Sequence, residues 1–179
     1  MDLHKIAVKF FAEDPLGVKA EELIPVFHRW IQKHTVEGTL IDVADYSHVP
    51  GGPGVVLVGF ETDLGLDEME GPLGLLLTRK QPLPGAFPER VAGTLKAALD
   101  ACAKLEEEPE LKGRLRFRKG EALFISNDRL LAPNTDAAFE ALKAGLEAAG
   151  REVFPKGVSI VREGGDPRRR LAARLVGSP

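Results

Sequence analysis

The segment richest in reactive side chains is Asp42-Val43-Ala44-Asp45-Tyr46-Ser47-His48-Val49-Pro50-Gly51-Gly52-Pro53-Gly54. Within it Asp45, Tyr46, Ser47 and His48 supply a carboxylate, a phenol, a hydroxyl and an imidazole in a row. An imidazole titrates near neutrality, and a neighbouring carboxylate orients it or raises its pKa, which is the arrangement general acid-base chemistry needs. Gly51, Gly52 and Gly54 let a ligand approach the backbone closely. The same residues have a purely structural reading. Proline fixes φ and glycine supplies positive φ, so Pro-Gly-Gly-Pro-Gly is also what a tight connection between two strands requires. The glycines do not open a helix and no Lys-Ser/Thr pair follows, so neither a dinucleotide fingerprint nor a P-loop is present. Asp45, Tyr46 and His48 are the candidate catalytic residues, with Gly51, Gly52 and Gly54 as candidate ligand contacts.

A second set is cationic. Arg114, Arg116 and Arg118 alternate with Leu115 and Phe117, while Arg170 and Arg174 alternate with Leu171, Ala173 and Leu175. Five arginines on the solvent side of two strands could bind an anion, meet a partner, or pair with carboxylates such as Glu61, Asp63 or Glu121 on neighbouring strands. Charge is uneven along the chain: residues 1–80 carry 7 basic and 13 acidic side chains, residues 81–179 carry 17 and 14. The overall charge of −3 and the lack of aromatics among the arginines argue against nucleic acid.

Other chemistry is poorly supported. His4, His28, His34 and His48 do not stand at metal-ligand spacing, and the single cysteine, Cys102, lies on an apolar helical stripe. The four serines lack a nucleophile-elbow context, and the acidic stretch from Asp63 to Glu70 does not match a calcium loop. No metal and no cofactor is therefore expected.

The elements that would position these residues follow from periodicity. Alternation predicts strands over 5–11, 39–46, 55–61, 73–80, 114–118, 121–126, 158–162 and 168–176, with a short one at Leu130-Leu131. The strand Val55–Glu61 is apolar at successive positions, as expected for a central strand covered on both sides. Residues 114–126 read as a hairpin across Lys119-Gly120, and 62–71 as an acidic connection. Helical stripes are Leu23, Phe27, Trp30, Ile31 and His34, ending at Gly38; Val91, Leu95, Ala98, Cys102 and Leu105; and Phe139, Leu142, Leu146 and Ala149, capped by Asn134 or Thr135. His34 is expected to close the first helix.

The order β-α-β-β-β-α-β-β-(β)-α-β-β predicts an α+β protein. Its largely antiparallel sheet of about eight strands carries three helices mainly on one face. Residues 73–163 have the order of a ferredoxin-like split βαβ unit. A single domain over 1–179 is expected, with 1–80 and 81–179 as possible sub-units joined around Pro82–Pro88. Two asparagines, two glutamines and 13 prolines among 179 residues fit a thermophile or a GC-rich genome equally. No apolar run approaches the roughly 20 residues that span a bilayer, so a cytoplasmic protein without a membrane partner is expected. Three helices cannot cover both faces of so wide a sheet. The leading expectation is a homo-oligomer, a dimer foremost, or binding of another protein through the open face. The alternatives are a small-molecule enzyme or sensor at Asp45, Tyr46 and His48, and anion or RNA binding by the arginines.

Overall fold

The computed structural model describes residues 2–15 and 17–178; Leu16, in the break read after the first strand, and the two terminal residues lie outside that description. Nine strands form one sheet: β1 (Ile6–Glu13), β2 (Leu40–Tyr46), β3 (Gly54–Gly59), β4 (Thr62–Asp67), β5 (Gly74–Arg79), β6 (Arg116–Phe117), β7 (Glu121–Ser126), β8 (Val158–Glu163) and β9 (Ala172–Gly177). Its order is β2-β3-β4-β5-β1-β7-β9-β8, with β6 pairing the end of β1. Every pairing is antiparallel. The helices are α1 (Leu23–Lys33), α2 (Phe87–Glu107) and α3 (Asp136–Val153).

Helix ends follow local chemistry. Pro25 lies in the first turn of α1, where its missing N–H leaves no intrahelical bond unmade. The chain leaves α1 at His34 rather than Gly38. His34 takes the left-handed conformation, with φ 48°; its own N–H returns to the Ile31 carbonyl and that of Thr35 to the Trp30 carbonyl. This is the Schellman closure that glycine usually provides. Pro109 ends α2 by holding Glu108 extended. The Thr135 hydroxyl accepts the Ala138 N–H at 3.2 Å to cap α3.

Each helix joins two strands that run parallel: α1 links β1 to β2, α2 links β5 to β7, and α3 links β7 to β8. In an antiparallel sheet of this order, right-handed crossovers put all three helices on one face. They are found there. Ile6, Val8 and Phe10 of β1, Leu75 and Leu77 of β5, and Phe124 of β7 share one core with the apolar stripes of all three helices. The α+β architecture with helices on a single side is thus the observed one.

Several local readings differ. Residues 62–67 form β4: Thr62, Leu64 and Leu66 face the helices while Asp63, Gly65 and Asp67 face away, so the acidic residues hide a true alternation. β3 lies next to the edge strand β2, not at the centre, and only Val55 and Leu57 enter the core. β6 pairs β1 instead of forming a hairpin with β7, and Leu130-Leu131 is an exposed turn. β1 lies between β5 and β7, and β9 between β7 and β8, so the crossovers through α2 and α3 are split βαβ connections, but the strands that fill the splits come from outside 73–163.

Candidate functional site

On the face without helices, antiparallel register places Tyr46, Val56, Val58 and Leu76 over β2–β5, and Ala7, Lys9, Phe11, Leu123, Ile125 and Ala172 over β1, β7 and β9. The two halves differ in cover. On the β1-β7-β9 side, Ala7, Phe11, Leu123, Ile125 and Ala172 form a second, small core although no helix lies over them. Their roof is built of charged side chains. The Arg174 guanidinium lies 4.9 Å from the centre of the Phe11 ring and donates to Glu163 at 2.6 Å and Glu121 at 3.2 Å. Its stem and planar head cover the ring while its charge stays paired. Its hydrogen bond to Glu163 raises its pKa by more than burial lowers it, and the guanidinium is held more firmly cationic than usual. Arg118 donates to the same Glu121 at 3.3 Å. Arg170 is held by Asn127 and by Glu70 from the β4–β5 connection.

Beneath this roof lies an ion pair that the sequence reading did not find. Lys9 points away from the helices, yet its side chain is fully buried; Nζ donates to Asp67 at 2.9 Å and to the Glu70 carbonyl at 3.1 Å. The Asp67 carboxylate also accepts the Glu70 N–H at 3.0 Å, which folds the β4–β5 connection over the sheet. The signal was a lysine facing the same side as Ala7 and Phe11 in a strand with six of its eight residues apolar.

The β2–β5 half has no such roof. Tyr46, Pro53, Val56, Val58 and Leu76 line a trough of about 350 Å³, with Asp63 and Thr78 at its polar end. Tyr46 is 45% exposed.

The 45–54 corner is a turn at one end of this trough. The Asp45 carboxylate accepts the Ser47 hydroxyl at 2.6 Å and the Ser47 N–H at 2.9 Å; these bonds, with the nearby His48, lower its pKa. Asp45 and Tyr46, adjacent in a strand, project to opposite faces. His48 is exposed and makes no side-chain hydrogen bond among the described residues. Tyr46, Gly51, Gly52 and Gly54 border a groove of about 450 Å³ together with Met69, and His48 is not part of its lining. Gly54 has φ 68°, and a Cβ there would meet Ala20 at 3.3 Å; backbone geometry alone calls for glycine. The structure brings Tyr46 and the three glycines together and leaves the imidazole to one side.

The five arginines do not share one surface. Arg170 and Arg174 lie on the open face, and Arg118 reaches them through Glu121. Arg114 instead ties the turn after α2 to Glu22 at 2.6 Å and to the Gly17 carbonyl at 3.0 Å. Arg116, in β6, is opposite Glu13. Cys102 is buried in the α2 core, where desolvation first and Glu106 second push its thiol well above the usual range. Among the described residues no three or more His, Cys, Asp or Glu side chains converge as metal ligands, and no helix is long and apolar enough to cross a membrane.

Comparisons of the chain with protein-family models, with curated proteins and with solved structures give no match.

Proposed function

We propose that this protein works by self-association, two copies meeting through the face of the sheet that carries no helices. The observation that carries the reading is the apolar trough of Tyr46, Val56, Val58 and Leu76, which no element among the described residues covers. Size decides how the copies must meet. Strands at ~4.8 Å spacing and residues at ~3.4 Å make four strands of five residues roughly 300 Å² in flat projection, well below the roughly 800 Å² per partner of a standard interface. The contact therefore extends over the roofed half as well. A two-fold axis parallel to the strands lays the β2–β5 half of one copy on the β7–β9 half of the other. That arrangement opposes Asp42, which makes no ion pair among the described residues, to the arginine-bearing strand and loop around Arg169, so charge favours it over the like-on-like alternative.

Sedimentation equilibrium on the full chain tests this. A dimer is expected, with Val58→Lys shifting it to monomer while the thermal midpoint of the monomer stays near that of the parent. A parent chain that sediments as a monomer at all concentrations overturns the reading.

A further inference from the structure

On the opposite side of the sheet, α1 lies over β2 and β3 while α2 lies over β1 and β5. β4 runs under the gap between them, and there a cleft of about 650 Å³ opens. Its floor is apolar, formed by Leu64 and Leu77, and Arg79 stands at its end on the same row of β5 as Leu77.

Arg79 is the unusual member. The other two cations of the cleft are paired: Arg90 with Asp2, and Lys96 with Glu152 at 2.6 Å. Arg79 makes no ion pair among the described residues. Its Nε donates to the Thr94 hydroxyl at 3.3 Å, which itself donates to the Arg90 carbonyl at 2.7 Å and so aims the guanidinium. Both terminal nitrogens remain for a carboxylate, the partner to which their planar fork is matched. Partial burial lowers the pKa of this arginine, with Glu37 and Glu61 opposing the shift from a distance.

A second observation is independent of charge. Gly93 lies inside α2 and lines the same cleft, yet nothing lies within 4 Å of a Cβ built on it. Helix interiors disfavour glycine relative to alanine. The glycines within α3 have steric reasons: a Cβ would meet Phe87 at 2.7 Å from Gly145 and Val158 at 2.9 Å from Gly150. Gly93 has none among the described residues, and its missing side chain keeps the wall of the cleft that holds Arg79 open.

We propose that this cleft binds a small zwitterionic carboxylate of the amino-acid type. Arg79 holds the carboxylate, Glu37 takes the ammonium, and the apolar middle rests on Leu64 and Leu77. A phosphate suits the cleft less well, because Glu37, Glu61 and Glu89 around it repel a dianion. This site lies on the helix-bearing side, so it stands or falls apart from self-association.

The test titrates the full chain with each standard protein amino acid, following thermal midpoint and backbone amide NMR shifts. Binders are compared with their halves; for leucine these are 3-methylbutylamine and 4-methylpentanoate. At least one amino acid is expected to raise the midpoint and shift amides of β4, β5 and α2, with neither half matching it. Arg79→Gln is expected to weaken binding at least about tenfold. Gly93→Ala raises the midpoint of the unliganded protein, and Gly93→Leu abolishes binding in a folded chain. The proposal is overturned if no standard amino acid binds, if a half binds as well as its parent, or if Arg79→Gln or Gly93→Leu binds unchanged.

Discussion

Lys9 and Asp67 form a hydrogen-bonded ion pair 2.9 Å long, with 0% and 4% of their side chains exposed, on the side of the sheet that has no helices. Withdrawing two charges from water is costly, and removing one partner leaves the other stranded. Lys9→Ala or Asp67→Ala is therefore expected to destabilise the fold by about 3–5 kcal/mol, while Lys9→Met combined with Asp67→Leu, which strands no charge but still deprives the Glu70 N–H and carbonyl of their partners, is expected to cost about 1–3 kcal/mol. Urea titrations of the three variants check this. Single variants costing under about 1 kcal/mol would show that the pair contributes nothing to stability.

His34 holds the left-handed backbone position that closes α1. A side chain there carries a conformational penalty that glycine avoids. His34→Gly is expected to stabilise by about 0.5–1 kcal/mol, measured as a rise in urea midpoint with unchanged slope. Loss of stability would mean that the imidazole itself holds the helix end.

Glu22 joins the start of α1 to the turn after α2. Its carboxylate accepts two bonds from Arg114 and one from the Lys19 N–H, and these hold its pKa at about 2 instead of 4.5. A depressed carboxylate pKa stabilises the fold above the unfolded value, and that stability is lost as pH falls from 4.5 towards about 2. The gap in thermal midpoint between the parent and Arg114→Met is thus expected to be widest near neutrality and to narrow across that window, leaving the part carried by the carbonyl bonds. A gap independent of pH would assign the contribution of Arg114 to its packing and its bonds to backbone carbonyls such as that of Gly17, and not to Glu22.

Cys102 is fully buried with its thiol pushed towards the neutral form. A thiol reagent is expected to label the native chain only as fast as it opens, and at once in denaturant. Rapid native labelling would place the sulfur at an accessible surface.

The helical stripes were plain in the sequence because each is local: Val91, Leu95, Ala98, Cys102 and Leu105 are all fully buried along one helix. What escaped was non-local or disguised. β4 was masked by Asp63 and Asp67, which obey the same period of two as Leu64 and Leu66 but read as a solvated loop. The pairing of β6 with β1 spans the chain and leaves no trace in residues 114–126. At the 45–54 corner the turn chemistry was legible, including the left-handed Gly51 and Gly54. Arg79 was not, since its isolation depends on where Thr94, Glu37 and Glu61 come to rest.

The position of β1 governs the order in which this protein can be made. Made before the other eight strands described, β1 lies in mid-sheet, between β5 and β7, whose last residues are Arg79 and Ser126. Until residue 126 has emerged, one of its edges lacks a native neighbour, and any stray strand can dock there. Contacts so distant in sequence slow folding. Translation therefore exposes a sticky seam from the emergence of β1 until that of β7, and nascent chains cut short before β7 are expected to be the aggregating species.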